Sequence, residues 1–197
     1  MFRLLRTTLP AVALAAALAI ASGCGGDDAP PEPTPDLGDL PSSGVLAVDR
    51  VIAAVRANDA SALQAQVRYT SVACAATPPQ GAGGPPACIE GEPDGTEVDV
   101  FPAAQCEGFW QRPDGINVAR WPFFGAELYA AYRTPAGGYP AGPYAVVFRR
   151  LDGMSAGLGW MLIVSDDGIT GVHFGCGETP EELLASQRLT DALIAPR

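Results

Sequence analysis

The chain contains no lysine, and all 12 of its basic residues are arginine. Schiff-base chemistry on lysine is therefore excluded, and so is the lysine that contacts phosphates in a P-loop. Histidine is nearly absent too, because His173 is the only one. The cysteines have no Cys-x-x-Cys spacing, and one histidine adds little to a zinc site. The sequence thus predicts neither a metal nor a cofactor.

Positive charge is scarce relative to negative charge. The chain has 22 acidic residues against 12 basic ones, which gives a formal net charge of −10 at pH 7. Such a chain repels the phosphates of nucleic acids and anionic lipid surfaces. We therefore expect no nucleic acid partner.

The N-terminus has the build of a secretory signal. Arg3 and Arg6 precede the apolar residues 9–20, a run too short to span a bilayer as a helix. Small residues then lead to Cys24 in the stretch "ASGC". This stretch resembles the bacterial lipobox, in which the cysteine receives a diacylglyceryl group and the chain is cut just before it.

The lipobox resemblance implies a signal peptide over residues 1–23 and a lipid on Cys24. The protein would then be a bacterial lipoprotein, held at the extracytoplasmic face of the cell membrane by its N-terminal lipid. The alternative is an ordinary secretory signal that a cysteine follows by chance.

Residues 25–44 are rich in proline, glycine and acid and poor in apolar side chains. Such a composition cannot repay the entropy of ordering, so residues 24–44 are predicted to be a disordered tether that starts at the lipidated cysteine. A proline-rich extended chain of this length would reach roughly 60 Å from the lipid, at ~3.1 Å per residue. Residues 45–197 suit one globular domain.

If Cys24 carries lipid, an even number of cysteines remains for an oxidising compartment. They are Cys74, Cys88, Cys106 and Cys176. Three pairings are possible. We favour Cys74 with Cys88, because the loop between them is too rich in glycine and proline to hold itself, and this leaves Cys106 for Cys176.

Hydrophobic periodicity predicts an α+β domain. Residues 45–55 and 62–67 read as two helices, and Asp59 is placed to cap the second. Residues 97–101 alternate like a strand, and the segments 127–133, 144–151, 159–165 and 169–176 predict an antiparallel meander. Asp166-Asp167-Gly168 predicts a tight hairpin, and Thr179-Pro180-Glu181-Glu182 opens a short C-terminal helix.

Residues 153–157 spell Gly-x-Ser-x-Gly, the pattern that presents the nucleophilic serine of α/β-hydrolases. That mechanism needs a helix directly after Ser155, whereas a β-rich run beginning at Trp160 follows. We therefore place Ser155 in a connecting loop without catalytic function. His173 is interpreted as a partly buried strand residue with one satisfied ring nitrogen.

Two further patterns have a functional and a structural interpretation. Acidic residues 90, 92 and 94 before Gly95 resemble the start of a calcium loop, but Phe101 stands where the closing glutamate should be. A solvated acidic loop is the preferred interpretation. Several aromatic residues could line a pocket or a carbohydrate platform, or could fill the sheet: Trp110, Trp121, Tyr132, Tyr139, Tyr144 and Trp160.

Residues 48–67, "VDRVIAAVRANDASALQAQV", and 159–174, "GWMLIVSDDGITGVHF", are similar to the opening and the final hairpin of the NTF2-like, SnoaL-type superfamily. The resemblance implies a curved antiparallel sheet that wraps over N-terminal helices and encloses a conical pocket. Two functions follow. The first is a lipid-anchored binding or interaction module; the alternative is an NTF2-like isomerase or hydrolase with a carboxylate base in the pocket.

Overall fold

The computed structural model describes residues 34–78, 84–104, 108–121, 125–136, 142–174 and 177–197. Two helices come first, α1 (Leu46–Arg56) and α2 (Ala60–Ala65). Three strands follow, β1 (Thr70–Ala73), β2 (Glu97–Ala104) and β3 (Gly108–Gln111). The rest comprises β4 (Ala126–Arg133), β5 (Tyr144–Arg150), β6 (Gly159–Ser165), β7 (Gly168–Phe174), α3 (Pro180–Ser186) and β8 (Asp191–Ile194).

The eight strands form one mostly antiparallel, open sheet. Its order is β1-β2-β7-β6-β5-β4-β8, with β3 paired to β2. The predicted meander is confirmed as β4 to β7. One pairing differs from the antiparallel expectation, because β2 runs parallel to β7 where Ala103 lies opposite Val172. The fold class is therefore α+β, as the sequence predicts.

Helices cover both faces of the sheet. On the first, which we call the α1 face, α1 and α2 pack over a core that includes Phe101, Phe148 and Leu162. On the second, the α3 face, α3 packs against β5 and β6, with Leu183 fully buried. Strand alternation explains the two cores, because successive side chains point to opposite faces.

A β-bulge in β4 changes this alternation. Leu128 pairs with Phe148 and Ala130 pairs with Val147, so that Tyr129 is the extra residue. Tyr129 and Ala130 consequently both pack in the α3-face core, although they are neighbours in the chain.

Local signals place the helix ends where the sequence predicts them. Asp59 caps α2 by accepting a hydrogen bond from the Ala62 N–H at 2.9 Å. Thr179 and Glu182 form a capping box at the start of α3. After α3 the chain does not end as a helix, since β8 adds a further strand beside β4. β1 lies between the second predicted helix and the strand predicted at 97–101, where the sequence pattern predicts no strand.

The globular body begins before Val45, the predicted boundary. Residues 34–197 form one compact unit, and Leu37 and Leu40 pack against the α1-face core. The end of the predicted tether is therefore part of the folded domain. Its earlier part and the predicted signal peptide lie outside the described residues. Within the described ranges, no helix combines the length and the apolar character that crossing a membrane requires.

Candidate functional site

A pocket of about 360 Å³ lies on the α1 face, beside β2, β6 and β7. We call it the aromatic pocket. The described residues that line it are Ala103, Gln111, Gly115, Asn117, Arg120, Trp121, Trp160, Val172 and Phe174. Its volume is at the lower end of the range for small-molecule sites in proteins.

Trp160 and Phe174 form one side of the aromatic pocket. They are direct cross-strand partners on β6 and β7, and their ring centroids lie 4.5 Å apart at an interplanar angle of 38°. Both side chains are half-buried. Because directly opposed residues point to the same face, the hairpin register brings the two rings together.

The opposite side of the aromatic pocket comes from two short 3-10 turns, Pro113–Gly115 and Val118–Arg120. Ile116 and Val118 are buried and hold this segment on the core. Trp121 stacks on Phe101, with centroids 5.5 Å apart and an angle of 25°. The turns are thus fixed at their apolar positions, and their polar residues stay at the surface.

Those polar residues supply the hydrogen-bonding groups of the aromatic pocket. Asn117 and Arg120 are exposed, and Gln111 on β3 is half-buried. Together they offer two carboxamides and one guanidinium beside the aromatic rings. Of the described lining residues, none contributes a carboxylate, an imidazole, a hydroxyl or a thiol. The arrangement is suited to holding a small ring compound.

Two larger grooves are less suited to a specific ligand. The first, about 730 Å³, runs along α1 and α2 over alanine side chains. Two of its polar groups have structural functions. Asp59 caps α2, and a guanidinium nitrogen of Arg56 forms an ion pair with a carboxylate oxygen of Asp39 at 3.6 Å. The second, about 510 Å³, lies between Tyr69 and Trp110. Trp110 there donates a hydrogen bond to the Gly84 carbonyl at 2.6 Å.

The predicted pairing of Cys74 with Cys88 is present in the structure. The two residues form a disulfide with their Cα atoms 5.0 Å apart. Cys24, Cys106 and Cys176 lie outside the described residues, so the lipidation and the second pair stay predictions. Both sulfurs lie near a carboxylate oxygen of Glu92, within 4.8 Å, but they are bonded to each other.

Two carboxylates of the acidic loop 90–95, those of Glu92 and Asp94, accept hydrogen bonds from separate donors in the protein. Glu92 accepts hydrogen bonds from the Arg112 guanidinium at 2.6 and 2.8 Å and from the Ile89 N–H at 3.0 Å. The hydrogen bond from Arg112 is the main reason why the pKa of Glu92 is lowered. Asp94 accepts from the Ala76 N–H at 2.8 Å. This geometry does not converge on a calcium ion.

Ser155 lies in a connection between strands, as the sequence predicts. It ends a 3-10 turn, Gly153–Ser155, in which the side chain of Met154 is fully exposed. The chain then enters β6 at Gly159 without an intervening helix. Ser155 therefore lacks the strand-to-helix turn that presents a nucleophile.

His173 faces the α3 side of the sheet, opposite Met161 in register. Its side chain is only 13% exposed, and its Nε2 lies 3.8 Å from Oε2 of Glu178. Burial lowers the pKa of His173, and Glu178 offsets part of that shift. Within the described chain, neither ring nitrogen has a hydrogen-bond partner, which corrects the expectation of a satisfied nitrogen.

The six aromatic residues singled out in the sequence separate in space. Trp121 and Trp160 line the aromatic pocket, and Tyr144 packs elsewhere on the α1-face core. Trp110 and Tyr132 pack in other clusters, and Tyr139 lies outside the described residues.

Sequence reasoning missed Phe174, Gln111, Asn117 and Arg120. The hairpin at Asp166-Asp167 carried no direct signal for Phe174, because regular counting outward from that turn places His173 opposite Trp160. The register shift at Thr170 brings Phe174 to that position instead. Comparison with known proteins adds no further assignment: no protein-family model, no curated protein and no solved structure matches the chain.

Proposed function

We propose that this protein is a lipid-anchored, extracytoplasmic binding module that takes up a small ring compound in the aromatic pocket. The observation that carries the proposal is the Trp160–Phe174 pair, which presents half-buried rings beside surface carboxamide and guanidinium groups. Aromatic faces provide apolar contact for a ring, and a few polar groups fix its orientation.

The lining chemistry favours binding over the enzymatic alternative. An NTF2-like isomerase or hydrolase needs a carboxylate base that faces a hydrogen-bond donor inside its pocket. The described lining supplies donors and aromatic rings but no acidic residue. The carboxylates near Arg112 and Arg149 are engaged in ion pairs on other parts of the surface.

The anchoring part of the proposal rests on the N-terminal sequence. Cys24 would hold the lipid, and because Leu37 and Leu40 pack on the domain, the link would span residues 25–33. An extended proline-rich link of this length reaches roughly 30 Å, at about 3.1 Å per residue. The binding module would then work close to the membrane surface.

The binding function can be tested with the full chain in detergent. A panel of monosaccharides and monocyclic aromatic compounds would be screened by saturation-transfer NMR, which detects weak ligands. We expect binding of some ring compounds, with loss of the signal in Trp160→Ala. Trp110→Ala is the matched control, because Trp110 packs in a different cluster, with the disulfide.

Both variants must keep the far-ultraviolet circular dichroism of the parent. If no ring compound binds, or if Trp160→Ala leaves every signal unchanged, the aromatic pocket is not the binding site. If the protein converts a panel compound to product, and Trp160→Ala abolishes that turnover, the result would favour the enzymatic alternative instead.

A further inference from the structure

The charge of the aromatic pocket differs in sign from that of the whole chain. The protein carries a formal net charge of −10, whereas Arg120 is the only charged residue among the described residues of the lining. A neutral ring compound would not need this cation, whereas an anionic ligand would need it to balance its charge.

Arg120 also differs from half of the ten arginines in the described domain. Five of them have a carboxylate oxygen within 4 Å: Arg56, Arg112, Arg133, Arg149 and Arg150. Arg120 has no such partner among the described residues. Its guanidinium is therefore available to an external anion at the aromatic pocket.

The position of Arg120 is set by the fold. It ends the 3-10 turn Val118–Arg120, between buried Val118 and buried Trp121. The Val118 N–H donates to the Gln64 side chain of α2 at 3.2 Å, which ties the turn to the helical layer. An anchored backbone limits the positions that the long side chain can reach, so less entropy is lost when it binds.

We propose that the ligand of the aromatic pocket is a ring compound that carries a carboxylate, with the ring against Trp160 and Phe174 and the carboxylate on Arg120. This inference rests on the proposed function and adds the chemical class. The planar guanidinium matches a carboxylate with two parallel hydrogen bonds. Asn117 and Gln111 donate to remaining polar atoms of the ligand. A pocket of about 360 Å³ suits one ring with short substituents.

Two matched pairs of probes test the class in the full chain. Benzoate and benzamide differ in charge on an aromatic ring, and glucuronate and glucose differ in charge on a sugar. Affinities would be measured by NMR titration, with probe concentrations up to the order of millimolar. We expect at least one anion to bind about tenfold more tightly than its neutral counterpart, since an ionised partner roughly doubles the strength of a hydrogen bond.

Arg120→Gln should remove that preference, and Arg120→Lys should keep part of it because the charge stays but the forked geometry is lost. Arg133→Gln is the control, with the same change in net charge but a position on β4, where Arg133 pairs with Asp191. A preference for benzoate alone would identify aromatic acids, and one for glucuronate alone would identify acidic sugars.

The outcomes separate the two proposals. If neutral and anionic probes bind equally and Trp160→Ala weakens both, the binding function stands and the carboxylate inference is wrong. The inference is also overturned if Arg120→Gln and Arg133→Gln change the affinity for the anionic probes equally. It is overturned as well if neither anionic probe binds while neutral ring compounds from the wider panel do. If no ring compound binds at all, both proposals fail.

Discussion

Ser43 donates two hydrogen bonds to Asp49, from its N–H at 2.8 Å and from its hydroxyl at 2.7 Å to the same carboxylate oxygen. Asp49 lies in the first turn of α1 and is only 6% exposed. Ser42 donates to its other oxygen. These bonds join the segment that precedes α1 to the helix, and they explain how a buried carboxylate is tolerated.

Replacing Asp49 by alanine should lower the free energy of unfolding by about 1–3 kcal/mol, because the donors of Ser42 and Ser43 lose their acceptor. Urea denaturation measures the change. Asp99→Ala is the control, since Asp99 is exposed on β2 and should have little effect. Equal losses in the two variants would contradict the structural function of Asp49.

Gly159 should not tolerate a side chain. A Cβ at this position would lie 2.9 Å from the Pro180 nitrogen and 3.0 Å from its Cα, so the backbone at the start of α3 would have to move. We expect Gly159→Ala to cost about 1–3 kcal/mol through overpacking. Gly115→Ala, with nothing within 4 Å of its Cβ, is the matched control. Similar thermal midpoints for both variants would mean that α3 is not packed as described.

His173 should make the fold less stable in acid. Burial lowers its pKa in the folded state below the unfolded value of about 6.5, so the unfolded chain binds more protons as the pH falls below that value. Stability from the neutral ring is present above the unfolded pKa and is lost as the pH falls toward the folded pKa.

The His173→Gln variant isolates this effect, because the chain has no other histidine. Urea denaturation at a series of pH values would be compared for the two proteins. The unfolding free energy of the parent, minus that of the variant, should fall as the pH falls below about 6.5. A pH-independent difference would show that His173 titrates alike in both states.

Loss of the Cys74–Cys88 disulfide should cost roughly 3 kcal/mol, the value that chain entropy gives for a loop of this size. The Cys74→Ser, Cys88→Ser double variant tests it by urea denaturation.

For the pair predicted between Cys106 and Cys176, the longer loop gives roughly 4 to 5 kcal/mol, so Cys176→Ser should be more damaging. Peptide mapping without reduction should recover both pairs; a link from Cys74 to Cys106 would contradict the assignment.

Cys24→Ala should release the protein from the membrane or leave the precursor uncut, because the predicted anchor is a lipid on this thiol. Metabolic labelling with palmitate and membrane fractionation measure the two effects. Cys88→Ser is a control that should leave labelling unchanged. Labelling that survives Cys24→Ala would mean that the anchor is elsewhere.

Local sequence alone specifies the features that depend on neighbours in the chain. The capping box at Thr179 and the Asp59 cap close within three residues, and the Asp166-Asp167 turn joins strands that are adjacent in sequence. The Cys74–Cys88 pair likewise closes a short loop. Such contacts involve less loop-closure entropy than pairings of distant segments, so local side-chain chemistry is enough to specify them.

The way in which distant segments combine depends on tertiary packing. The aromatic pocket needs Trp160 and Phe174 on one hairpin, and Arg120 on a turn that packs beside β2. The parallel pairing of β2 with β7 and the place of β8 beside β4 have no local signature, because a strand's own residues do not specify its partner. Arg120 reads in the sequence as an ordinary surface arginine, and its place in the pocket comes from the packing of Val118 and Trp121 on the common core.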